Sequence, residues 1–108
     1  MALFTDFSDI DNKNFKILNE YISLLSSVKR SKYDAMDSID CMLKIAFSMT
    51  EEDIDENPPH EGFGFKNELY RVQAIIGEIG KEIVFRGNPQ KETLLSLVHT
   101  LKIIRSYL

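Results

Sequence analysis

Ile83-Val84-Phe85-Arg86-Gly87-Asn88-Pro89-Gln90, IVFRGNPQ, decides the fold of this chain. Gly87 suits the position just past a helix, because a residue without Cβ enters the left-handed region at little cost. Asn88 suits an N-cap, and Pro89 suits the first residue of a new helix, where its missing N–H is no loss. One helix ends and another begins within three residues, which predicts a tight antiparallel helical hairpin.

The flanking segments carry the matching pattern. On the N-terminal side Leu69, Val72, Ile76, Ile79 and Ile83, widened by Ile75, recur at helical spacing and predict a helix over about 66–86. Gly77 and Gly80 interrupt it at about 1 kcal/mol each relative to Ala. They sit on one flank of the stripe, which predicts close approach of a neighbouring helix. Glu78 and Glu82 read as solvent-facing, with Glu82 placed to pair with Arg86 four residues on. On the C-terminal side Leu94, Leu97, Val98, Leu101, Ile104 and Leu108 predict a helix running to the chain's last residues.

The first half repeats this design. Phe15, Leu18, Ile22 and Leu25 form one stripe, and Ile17, Tyr21, Leu24 and Val28 form a second beside it. They predict a helix from about Asp9 or Asp11 to Lys29, with acids first and Lys29-Arg30 last, as the helix dipole favours. Ser31 suits the cap of a second helix over about 31–49. Its main stripe is Met36, Ile39, Leu43 and Ala46 or Phe47; Asp37, Asp40 and Lys44 lie opposite, with Asp40 and Lys44 placed to pair. No segment shows the strict alternation of a half-buried strand. The fold class expected is all-α: an antiparallel four-helix bundle, up-down-up-down, as a single domain over 1–108.

Between the two hairpins lies TEEDIDENPPHEGFGF, Thr50 to Phe65. Pro58-Pro59 cannot continue a helix, and Asn57 before them is pushed from helical geometry. Glu51, Glu52, Asp53, Asp55, Glu56 and Glu61 make the stretch acidic, and no Lys or Arg stands between Lys44 and Lys66. A long connector inside a compact domain is uncommon and tends to be functional.

Charge is split along the chain. Residues 1–65 hold 13 acids and 6 bases, and residues 66–108 hold 4 acids and 7 bases. Phosphate neutralisation needs clustered Lys and Arg, so this distribution argues against nucleic-acid binding and favours a basic protein partner. Lys29, Arg30 and Lys32 at the first turn are explained by dipole compensation. The N-terminal MALFTDFSDID lacks the basic and apolar regions of a signal peptide, and no apolar run approaches the about 20 residues of a membrane span. A lone Cys41 makes no intrachain disulfide. These features predict a cytoplasmic protein without a membrane partner.

Catalytic signals are weak. Cys41 stands near Asp37 and Asp40, whose negative charge makes it a poor nucleophile. His60 and His99 match no zinc spacing, and His99 reads as a surface or interface residue on the flank of its helix. Asp34, Asp37 and Asp40 at intervals of three, and Glu78 with Glu82, leave a carboxylate-held metal hydrolase as a third reading. The chain carries no phosphate-binding glycine loop, nucleophile elbow or dinucleotide fingerprint. No enzyme activity, cofactor or metal is expected.

The reading that results is a small acidic protein-binding module. A stoichiometric inhibitor of the immunity-protein or antitoxin type fits it, neutralising a basic toxin or nuclease by direct binding. Glu51, Glu52, Asp53, Asp55, Glu56, Asp37 and Asp40 would steer the partner, and Phe63 would anchor it. The alternative is a structural homo-oligomer, at least a homodimer, built on the first and fourth helices through Tyr21, Leu95, Ile103 and Tyr107.

Overall fold

The computed structural model describes residues 12–27, 31–49 and 62–108. Over them the chain is all-helical, with four helices and no strand: α1 (Lys13–Leu25), α2 (Lys32–Ser48), α3 (Phe65–Arg86) and α4 (Lys91–Arg105). Asp9, Asp11, Lys29, Arg30 and the acidic stretch from Thr50 to Glu61 lie outside the described residues.

Local chemistry sets most helix ends. Asn12 caps α1, its side-chain oxygen accepting from Phe15 N at 3.0 Å. α1 ends at Leu25, short of Lys29, and the Ser26 hydroxyl turns back to Ile22 O at 2.7 Å. Ser31 and Asp34 form a reciprocal capping box that opens α2. Gly64 (φ 103°) precedes α3 and Gly87 (φ 88°) closes it, the two positive-φ residues among those described. Gly87 N donates to Ile83 O at 2.9 Å, as the GNP signal predicts.

The start of α4 differs from expectation. It begins at Lys91, not Pro89, and neither Asn88 nor Gln90 caps it with a side chain. The cap comes from the preceding helix. The Glu82 carboxylate accepts from Gln90 N at 2.7 Å and from Thr93 Oγ1 at 2.6 Å. Glu82 is therefore buried, and the reading of it as a solvent-facing partner of Arg86 is corrected. At the other end of the same pair, Tyr107 Oη accepts from Gly64 N at 3.0 Å. These two links hold α3 and α4 antiparallel along their length.

α1 packs on α2 and α3, and α4 packs on α3 and α2. The pairs α1–α4 and α2–α3 thus face each other across the core, and the connection over 49–64 joins helices on a diagonal. The interior is Phe15, Leu18, Ile22 and Leu25 from α1, Val72, Ile76 and Ile79 from α3, and Leu94, Leu97, Val98, Leu101 and Ile104 from α4, all in the expected stripes. Full burial of each large apolar side chain stabilises the fold by about 1.5–3 kcal/mol. α2 is rotated from expectation. Ala35, Ile39, Met42 and Ala46 face inward, Met36 and Leu43 take the flank, and Phe47 is exposed. The small Ala35 and Ala46 let the neighbouring helices close on that face.

Gly80 is buried, in keeping with close packing there. Gly77 is different: a Cβ built on it meets nothing within 4 Å among the described residues. No helix of the described residues is long and apolar enough to cross a membrane.

Candidate protein-binding surface

α1 and α2 enclose a groove of about 610 Å³ lined by Tyr21, Leu24, Ser27, Asp34, Asp37, Ser38 and Cys41. Tyr21 and Leu24 come from the second apolar stripe of α1; Tyr21 is half-buried against the core, and Leu24 is not taken up by it. Leu24 is 56% exposed. Asp37 is exposed and pairs with none of the described lysines or arginines. Asp34 stands one turn earlier, one carboxylate oxygen accepting from Ser31 N at 3.3 Å. A shallower depression continues over Asn19, Glu20, Ser23 and Leu24. Tyr21 and Leu24 thus form apolar ground within a polar depression edged by Glu20, Asp34 and Asp37.

Inside the groove the Tyr21 phenol faces Cys41. The phenol is pushed above its ordinary value of 10.0, first by its hydrogen-bonding and charge interactions with Cys41, then by burial, Glu20 and Asp37. Each of these disfavours a phenolate. The Tyr21 hydroxyl therefore stays a neutral hydrogen-bonding group within the acidic rim.

The other expected contact residues are scattered. Asp40 is engaged within the chain: Arg105 Nε donates to its Oδ1 at 2.8 Å and Arg105 Nη2 to its Oδ2 at 3.4 Å. It does not pair with Lys44 as the helical spacing suggested. Phe63 is 63% exposed, with the Arg71 guanidinium 5.7 Å from its ring centroid. Phe65, by contrast, packs against the core. Glu51, Glu52, Asp53, Asp55 and Glu56 lie outside the described residues.

The residues expected at a helix one–helix four interface also separate. Ile103 is buried at 5% exposure within its own chain, beneath Gly62, so it offers no surface to a second subunit. Leu95 is half-buried. Tyr107 is 43% exposed but holds Gly64 through its hydroxyl. Tyr21 belongs to the groove. His99, read as a surface or interface residue, is buried.

Two buried carboxylates escaped the sequence reading. Glu68 is fully buried at the start of α3; its Oε1 accepts from Phe63 N at 3.3 Å, and its Oε2 lies 3.8 Å from Arg71 Nε without a hydrogen bond. Glu82 is the cap already described. Extending the Val72–Ile79 stripe by one turn in each direction reaches Glu68 and Glu82, so periodicity marked both positions as inward. Among the described residues no three of His, Cys, Asp and Glu converge closely enough to hold a metal ion. No family model, curated protein or solved structure matches this chain.

Proposed function

We propose that this chain is a binding module for a basic protein, working as a stoichiometric inhibitor of the immunity-protein or antitoxin type. One observation carries the reading: Asp37, uncommitted to any described cation, stands on the rim of a groove whose apolar ground is Tyr21 and Leu24, beside Asp34. Acidic groups around an apolar floor steer a cationic partner into place, and burial of the floor then holds it. Tyr33, 78% exposed one turn before Asp37, supplies a further aromatic anchor on the same helix.

In this reading the four helices run up, down, up and down. The acidic stretch from Glu51 to Glu56 joins the hairpins and adds a second cationic contact, with Phe63 at its far end. The net charge of −4, concentrated in residues 1–65, supports a basic partner over a nucleic acid. The lone Cys41 suits work in a reducing compartment, the cytoplasm.

Affinity capture from the native host tests this. The intact chain retains one basic protein at stoichiometric yield and releases it in about 0.5 M salt, where charges more than roughly 4–5 Å apart are screened. The Glu20→Gln/Asp37→Asn variant loses most of that yield. Equal retention of the same protein by the variant, or retention indifferent to salt, would remove the groove from the contact.

A further inference from the structure

The outer face of α3 carries a second surface, built on a different helix from the groove. Tyr70, Ala74, Gly77, Lys81, Val84 and Phe85 share one strip, turned away from the Val72–Ile76–Ile79 core side. Tyr70 is 59% exposed, Val84 47% and Phe85 76%. Gly77 stands at the middle of the strip in ordinary helical backbone, with open space where a Cβ would lie. Neither backbone conformation nor packing among the described residues calls for glycine there, although glycine costs the helix about 1 kcal/mol relative to Ala. A bare backbone at the centre of an aromatic strip is what a second helix needs to approach closely.

We propose that this strip joins two copies of the chain, their α3 helices antiparallel and crossing at Gly77. The strip is spaced symmetrically about that residue: Tyr70 lies seven positions before it and Val84 seven after. A two-fold axis at Gly77 sets Tyr70 of each copy against Val84 and Phe85 of the other, which is the self-complementarity an isologous contact requires. Charge selects the direction. Parallel helices bring Lys81 against Lys81, whereas antiparallel helices bring Lys81 across from Gln73. The area suffices as well. Two exposed aromatic rings and Val84 offer about 400 Å² per copy, given roughly 150–250 Å² for a fully buried ring. Ala74, Gly77 and the stems of Gln73 and Lys81 raise the total to about 1,200 Å² for the pair, the lower edge of stable specific interfaces. The dimer stands independently of the partner reading, and it presents two acidic grooves instead of one.

Sedimentation equilibrium over a concentration series tests it on the full chain. The wild type sediments as a dimer. Gly77→Leu places a side chain into space that is open in the single chain and removes a helix-weakening glycine, so circular dichroism stays helical and the chain still folds cooperatively while the species becomes a monomer. Phe85→Ser, at a site exposed in the single chain, raises the dimer dissociation constant at least roughly thirty-fold, because the two-fold contact loses an aromatic anchor from both copies. A wild type that remains monomeric at millimolar concentration overturns the proposal. So does a dimer that both variants leave intact, since that dimer uses another face. In a Cys41→Ser background, Tyr70→Cys with Val84→Cys forms an intermolecular disulfide under mild oxidation; preferential Val84→Cys self-pairing overturns the antiparallel arrangement.

Discussion

The Glu82 carboxylate and the Thr93 hydroxyl lie 2.6 Å apart, so one helix of the α3–α4 pair caps the other. The second carboxylate oxygen takes Gln90 N at 2.7 Å, an amide that the turn would otherwise leave unpaired at the head of α4. Hydrogen bonds to a charged group contribute about 1.5–3 kcal/mol each, and the negative charge also favours the helix N-terminus. Glu82→Ala is expected to lower unfolding free energy by about 2–3 kcal/mol in urea titration. Glu78→Ala, at an exposed site one turn away, should stay within about 0.5 kcal/mol of wild type. Equal effects from the two would show that the cap contributes nothing specific.

Gly62 lies where the chain enters α3, against the end of α4. A Cβ there would collide with Tyr107 Oη and come within 2.6 Å of Ile103 Cγ2. The tyrosine could swing aside, but only by giving up its bond to Gly64 N; Ile103 is buried and has nowhere to go. Gly62→Ala is therefore expected to cost about 1–3 kcal/mol, as overpacking does. Combining it with Tyr107→Ala should recover part of that loss, because the two changes share one contact. Strict additivity in thermal or urea unfolding would rule out the collision as the cause.

Helix existence was legible because apolar spacing and turn chemistry are local. Phe15, Leu18, Ile22 and Leu25 needed only each other to mark an inward face, and Gly87 needed only its own backbone. What was hidden depends on neighbours. On α2 the apolar residues wrap more than half the helix, so Met36–Leu43 and Ala35–Met42 are both plausible inward faces, and only the packing partners choose between them. The head of α4 was misplaced because its cap arrives from Glu82, eight residues before Gln90. Of the site, Asp37 and Tyr21 were nameable from sequence, but that they flank one groove with Leu24 and Asp34 follows from how α1 meets α2. Helical spacing pairs Asp40 with Lys44, whereas the fold brings Arg105, 65 residues away, to hold it instead.

That contrast between two neighbouring aspartates is measurable. The Asp40–Arg105 pair is 2.8 Å long, but its side chains are 44% and 39% exposed, so solvent screens it. A double-mutant cycle with Asp40→Asn and Arg105→Gln is expected to give a coupling of about 0.5–1 kcal/mol, shrinking in salt. For partner capture the order reverses: Asp37→Asn should lower the retained yield clearly more than Asp40→Asn, whose charge is already met within the chain. Equal losses would mean that both carboxylates face the partner and that the ion pair opens on binding.

The Tyr21–Cys41 contact makes a prediction about alkaline stability. The phenol's pKa is raised in the folded chain above the ordinary 10.0 expected when unfolded, chiefly by its hydrogen-bonding and charge interactions with Cys41. Above pH 10 the unfolded chain releases this proton first, so it binds fewer protons than the folded one and stability falls as pH rises. The stabilisation is fully present below pH 10 and is lost as pH climbs through the raised value. Cys41→Ala removes the largest cause. Its Tyr21 titration, isolated by subtracting the Tyr21→Phe spectrum from each parent, should shift down toward 10.0, and its stability should fall less steeply with alkaline pH than that of the wild type. A Tyr21 titration that does not move on this substitution would leave burial and the acids Glu20 and Asp37 as the whole cause, and the sulfur contact would then have no part in keeping the groove's phenol neutral.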